Sequence, residues 1–116
     1  MALNRALRLR KSSDFQRVRQ QRRSVSSRLL IIAWAPNNLN YTRFGFVVSK
    51  RISKHAVVRN YIKRLFSEAI RRVLPDLPVG LDIIISAKYQ VIGTDLPTLT
   101  HDIATSLRRA KLLTSL

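Results

Sequence analysis

The stretch Arg43–Leu74, RFGFVVSKRISKHAVVRNYIKRLFSEAIRRVL, changes its hydrophobic period midway, and that change decides the fold. Arg43-Phe-Gly-Phe-Val-Val48 reads as a strand, and Ser49-Lys-Arg-Ile-Ser-Lys54 as a basic loop. From His55 or Ala56 to Leu74 the period becomes 3.6. Val58, Ile62, Leu65, Phe66, Ala69 and Val73 then form one apolar helical stripe. Pro75 and Pro78 end that helix, because neither can continue its hydrogen-bond ladder.

Upstream, Leu29-Leu-Ile-Ile-Ala-Trp-Ala35 is a continuous apolar run and predicts a strand buried on both faces. Pro36-Asn-Asn-Leu-Asn40 is turn chemistry, so Arg43–Val48 is expected to return as its hairpin partner. Arg22–Ser27 suggests a short edge strand. Ser12 or Ser13 is a candidate N-cap for a short helix through about Gln20. Asp14 would lie in its first turn, with Phe15 and Val18 on one face. Downstream, Leu81-Asp-Ile-Ile-Ile-Ser86 predicts another strand. Thr94 or Asp95 can cap a last helix with Pro97 in its first turn and Leu99, Ile103, Leu107 and Ala110 inward. The expected fold is α+β: a two-layer sandwich in the order αβββαβα, with a mixed sheet of about four strands.

The chain has 116 residues, which argues for a single domain spanning 1–116. Its apolar share, 46%, is that of a globular protein and argues against disorder. It has no Cys, which excludes disulfides, thiolate metal sites and Cys nucleophiles. The longest uncharged run, Leu29–Thr42, contains Pro36 and three Asn, so no membrane-spanning helix is expected. The N-terminus lacks a secretory apolar core. It is Arg-rich and acid-poor, which leaves a transit peptide open, with a cytoplasmic location as the default expectation.

The net charge is +16, and its placement is informative. Residues 1–28 and 43–72 each carry nine Lys/Arg and one acid, whereas residues 73–116 are neutral. Self-repulsion on that scale points to a polyanionic partner. Nucleic acid is the leading candidate; an anionic membrane surface and a merely solvated basic face are the alternatives. On the middle helix, Arg59, Asn60, Lys63, Arg64, Ser67 and Arg71 fall on one arc opposite the apolar stripe. Like charges four apart repel, and Glu68 is the only acid in that helix. Such a face suits phosphate, which Arg can grip with paired N–H donors and Lys attracts as a point charge. Lys50, Arg51 and Lys54 lead into it. No His, Asp or Glu cluster has metal-ligand spacing, and no nucleophile-elbow or phosphate-loop motif is present. The residues therefore read as an RNA- or DNA-binding chain without a catalytic constellation. A preceding helix, which a helix-turn-helix would need, is absent from the reading.

Phe46-Val-Val-Ser-Lys-Arg51, followed by Ala56-Val-Val-Arg-Asn-Tyr-Ile-Lys-Arg-Leu65 with Glu68 and Arg71, resembles the signature of the bacterial ribonuclease P protein subunit. Asp14-Phe15-Gln16, Ile83–Lys88 and Leu107-Arg-Arg109 extend the resemblance over nearly the whole chain. Tyr61 departs from it where that family usually has Arg, as does Ser67 where a basic residue is common. On the wheel Tyr61 lies at the flank of the apolar stripe near Leu65, so its ring could pack while its hydroxyl stays wet.

The resemblance implies a protein that assists cleavage of the 5′ leader from precursor tRNA. The catalytic RNA subunit would carry the chemistry and hold most of the Mg2+, with none bound by the protein alone. It implies that Lys50, Arg51, Lys54, Arg59, Asn60, Lys63, Arg64 and Arg71 face the RNA subunit. Phe15, Arg19 and Ala33 would lie in a leader cleft between the first helix and the sheet. It also implies a left-handed crossover around the basic helix, against the usual right-handed rule. The expected partners are the catalytic RNA and precursor tRNA, with no membrane and no small-molecule substrate. The competing reading is a ribosomal or other structural RNA-binding protein of similar fold.

Overall fold

The structure, a computed structural model, describes residues 5–113. It contains helices α1 (Ser12–Gln20), α2 (Ala56–Val73) and α3 (Leu96–Arg109), and strands β1 (Ser24–Ser26), β2 (Leu30–Pro36), β3 (Arg43–Val47) and β4 (Leu81–Ala87). The sheet order is β1-β2-β4-β3. β1 and β4 run antiparallel to β2, while β3 and β4 are parallel and joined through α2. This is the mixed four-stranded α+β architecture that the periodicity predicts.

One pairing expectation is corrected. β2 and β3 are not a hairpin, because β4 lies between them, pairing Trp34 with Ile83 on one side and Phe44 with Ile83 on the other. The central position of β4 follows from its side chains. Ile83 and Ile85 belong to the core formed with α2 and α3, and Ile84 points to the opposite face, under α1. All three are buried. β2 is less symmetric than its apolar run suggests. Leu30 and Ile32 are buried under α2 and α3, but Ile31 is 39% exposed on the other face.

The larger core holds Phe44, Phe66, Ile70, Leu99, Ile103 and Leu107, with Phe46 and Phe66 in tilted ring contact at 5.8 Å. Full burial of each such side chain is worth about 1.5–3 kcal/mol, so this layer holds α2 and α3 on the sheet. Ala110 lies half-exposed at the edge of α3. Asp95 caps α3, its Oδ1 accepting from the Thr98 N–H at 2.9 Å. At α1 the N-cap position is Lys11 rather than a serine, and no side chain caps that end.

The smaller core lies on the other face: Leu9, Val18, Ala35 and Ile84, with Phe15, Ala33 and Val47 packed against them. Gly45 makes room for α1. A Cβ there would stand 2.5–2.6 Å from the Phe15 ring, closer than any side chain tolerates. Along the free side of β3, the Leu9 N–H donates to the Phe44 carbonyl at 2.8 Å and Arg8 forms a parallel bridge with Phe44.

Candidate nucleic-acid interface

α2 is buried along Ile62, Phe66, Ala69, Ile70 and Val73, which leaves Asn60, Arg64 and Arg71 exposed and Lys63 at the margin. One arc member is corrected. Ser67 is only 3% exposed, because the buried sector is wide enough on that side to take in a small side chain. Ser67 instead floors a concavity whose walls are Arg8, Asn60, Lys63 and Arg64. Arg8 is the one member that sequence reasoning missed. It lies about fifty residues away and reaches the helix only because its segment bridges β3 beside Phe44.

Arg59 sits at the other margin, partly buried, and donates to the Ser53 carbonyl at 2.9 Å. That bond ties the basic loop to the first turn of α2. The loop is further held by the Ile52 N–H donating to Ser49 O at 3.0 Å and by Ile52 packing on the core. Lys50, Arg51 and Lys54 remain exposed. Arg71 pairs with Glu68 at 3.2 Å. The arrangement is a curved cationic surface with donors at several heights, which suits successive phosphates of a nucleic-acid backbone.

The opposite face of the sheet carries a second feature. α1 covers only part of it, leaving a groove of about 270 Å³ whose lining includes Arg19, Arg22, Arg23, Ile31, Ala33 and Ser86. Phe15 and Arg19 are together, the guanidinium lying 5.9 Å from the ring centre. Phe15 is half-buried against Gly45, so its ring is both part of the small core and next to the groove. Arg22 takes a left-handed conformation (φ 55°) that turns the chain from α1 into β1 along the groove. Phe15, Arg19 and Ala33 are thus on one face, and the α2 cluster lies on the other side of the sheet.

α1 is fastened by ions as well as by packing. The carboxylate of Asp82, fully buried in β4, takes two bonds from Arg43 (2.9 and 2.7 Å), one from Asn37 Nδ2 (3.0 Å) and one from Arg17. Asp14 lies beside both arginines, at 3.6 Å from Arg43 and 3.9 Å from Arg17. Burial pushes the Asp82 carboxyl upward. The bonds from Arg43 and Asn37 and the charges of Arg43 and Arg17 outweigh that, so it titrates below the ordinary carboxylate range.

Other acids are also engaged within the fold. Asp95 caps α3, and Asp102 accepts from Ser27 Oγ at 2.6 Å. Among the described residues no three of His, Asp and Glu come together in a way that could hold a metal ion. No described helix is long and apolar enough to cross a membrane.

The chain is similar to known proteins over most of its length. The family model described as Ribonuclease P matches residues 3–111. The ribonuclease P protein component of Chloroflexus aurantiacus is 41% identical over 112 residues, covering 96% of this chain and 82% of that protein. The corresponding protein of Caldanaerobacter subterraneus subsp. tengcongensis is 35% identical over 104 residues, covering 90% and 89%. Among solved structures, the Staphylococcus aureus RNase P protein superimposes with a TM-score of 0.84 at 28% identity, covering 95% of this chain and all of the other. The Thermotoga maritima RNase P protein does so with a TM-score of 0.79 at 26% identity, covering 88% and 96%.

Proposed function

This chain belongs to the ribonuclease P protein family, and from that premise we infer how it serves tRNA 5′ processing. The cationic surface of α2, with Arg8 and the 50–54 loop, docks the catalytic RNA. The groove beside α1 receives the 5′ leader of precursor tRNA. Leader removal is hydrolysis of a phosphodiester by water, with magnesium supplying the activated water and charge stabilisation. Among the described residues no three acids or histidines come together to suit that ion. Asp14 and Asp82 face Arg17 and Arg43, Glu68 pairs with Arg71, Asp95 caps a helix and Asp102 holds Ser27. That the RNA subunit holds the metal is what the family resemblance implies. The side chains of this protein bind, orient and neutralise phosphate.

The observation that carries this reading is the separation of two basic features by the sheet. One lies on a helix with a single acid, and the other is a groove with an apolar floor beside Phe15. A protein that merely coats one structural RNA needs only the first. The test is cleavage of precursor tRNA by ribonuclease P RNA at low magnesium, with and without this chain. Restored cleavage is expected; RNA binding without stimulation would favour the structural RNA-binding alternative.

A further inference from the structure

Tyr61 stands one helical turn from Arg64 on α2 and is 56% exposed. Beside it, between α2 and the turn before α3, lies an apolar cavity of about 380 Å³. Val58, Leu65, Val91 and Ile92 line it, with Asp95 at its rim. Ile92 is 44% exposed and the neighbouring Val57 80%, so apolar surface continues from the cavity onto the helix. The volume is at the low end for small-molecule sites, enough for one planar ring system.

Two chemical features select the occupant. Tyr61, which lines the cavity, is one helical turn from Arg64, which lines the basic concavity, so an anionic polymer held there is the nearest ligand. The rim carries an acid on a chain with only six, which repels phosphate and accepts hydrogen bonds. Asp95 takes the Thr98 N–H at Oδ1 and a side-chain hydrogen bond from Thr98 as well. A carboxylate has about four acceptor sites, so two of them remain for a further donor at the rim. A flat apolar wall, an aromatic ring and a carboxylate acceptor suit a base that carries an exocyclic amine.

We propose that this cavity takes one unpaired adenine, cytosine or guanine of the RNA bound on α2. The base stacks on Tyr61 and donates its exocyclic amine to Asp95. The proposal rests on the RNA-docking reading above and adds a base contact to its phosphate contacts. Tyr61, where the resemblance leads one to expect Arg, thereby exchanges a charge contact for stacking.

The experiment follows the methyl signals of Val58, Leu65, Val91 and Ile92 by NMR in the full chain. The titrants are short oligo(A), oligo(U) and an abasic oligomer of the same length. Oligo(A) should shift these methyls, and the abasic oligomer should shift only signals around Lys63 and Arg64. Tyr61→Ala should weaken oligo(A) about tenfold while leaving the abasic oligomer nearly unaffected, in line with the typical worth of one stacked base. Asp95→Asn keeps a residue able to cap α3 and should shrink the preference for oligo(A) over oligo(U). If the abasic oligomer moves the cavity methyls as much as oligo(A) does, or Tyr61→Ala weakens both alike, the base site is wrong and RNA docking on α2 stands. If no oligomer perturbs the α2 surface, both fall together.

Discussion

Arg17 and Arg43 on one side of the sheet and Lys63 and Arg64 on the other are the same chemistry put to opposite uses. The first pair surrounds a fully buried carboxylate, with Asp14 as a second counter-ion. The second pair shares its helix with a single acid, Glu68, and that acid pairs with Arg71. Where acids are present, arginine builds the fold. Where they are withheld, the charge is left for a ligand. The contrast teaches that a +16 chain is not uniformly sticky. Part of its charge is internal, and only the remainder should respond to salt and RNA.

The internal side breaks most sharply at Asp82. Asp82→Ala leaves two guanidinium groups facing an emptied site. Loss of one partner from a buried pair costs about 3–5 kcal/mol. For a domain near this size, that lowers the thermal midpoint by on the order of 10–20 °C. Folding depresses this carboxyl. Its contribution is therefore complete above the unfolded value of about 3.9 and is lost as pH falls through the lower folded value. Denaturant titrations should show wild-type stability declining below about pH 4, with the decline flattened in Asp82→Asn. A midpoint unchanged in Asp82→Ala would remove the claim that this cluster fastens α1.

The packing beneath α1 is next in size. Gly45→Ala forces a methyl group into the Phe15 ring and should cost about 1–3 kcal/mol, the usual range for overpacking. In a Phe15→Ala background the same change should cost much less, since the obstructing ring is gone. A double-mutant cycle read by chemical denaturation measures this coupling. The same Phe15→Ala protein separates two roles for that ring. If it folds and loses affinity for precursor relative to mature tRNA, the ring serves the leader groove. A sharp fall in midpoint, with both RNAs weakened alike, would make Phe15 plain core.

These contacts also show what the sequence could and could not reveal. The switch from strand to helix between Val48 and Ala56 was legible because its period is local. So was the α3 cap, since Asp95 and Pro97 are adjacent in the chain to the helix they start. Strand pairing was not local. The turn residues Pro36–Asn40 favoured a hairpin, whereas the unbroken Ile83-Ile84-Ile85 run marks the strand covered on both faces and so the middle of the sheet. A lone Asp beside that run, in so basic a chain, was the available sign of a buried ion cluster. For Arg8 there was no sign, because only the bridge to Phe44 brings it to α2. Ser67 misled for a geometric reason: an ideal wheel places it among the basic residues, but the core is wide enough to enclose it.

The ligand side of the contrast should show itself in salt. If about six phosphates are contacted, the logarithm of the RNA binding constant should fall with the logarithm of salt concentration at a slope of roughly −4 to −5. Arg64→Ala should weaken binding and reduce that slope by about one, with little change in thermal midpoint. Arg43, enclosed by Asp82 and Asp14, should contribute nothing to the slope in variants that remain folded. A slope near zero in the wild type would overturn the assignment of the α2 surface to phosphate.

The smallest effect is expected at the two histidines, and it is the one that bears on chemistry. His55 is the N-cap position of α2, exposed, and its side chain makes no cap hydrogen bond. His101 lies exposed on α3, on the other side of a helix whose Leu99 and Ile103 enter the core. Asp102, next to His101 in the chain, accepts a hydrogen bond from Ser27 Oγ. A general acid or base in the reaction would contribute about 10²–10⁴-fold. His55→Ala and His101→Ala should instead leave the single-turnover rate of precursor cleavage within a few-fold at saturating protein, because binding is then complete and only the chemical step is read. The saturation condition matters, since a lost phosphate contact at His55 would raise the protein concentration required without slowing that step. A hundredfold loss at saturation, in a variant with an unchanged thermal midpoint, would place a protein side chain in the chemistry. The division between an RNA that cleaves and a protein that positions would then fail.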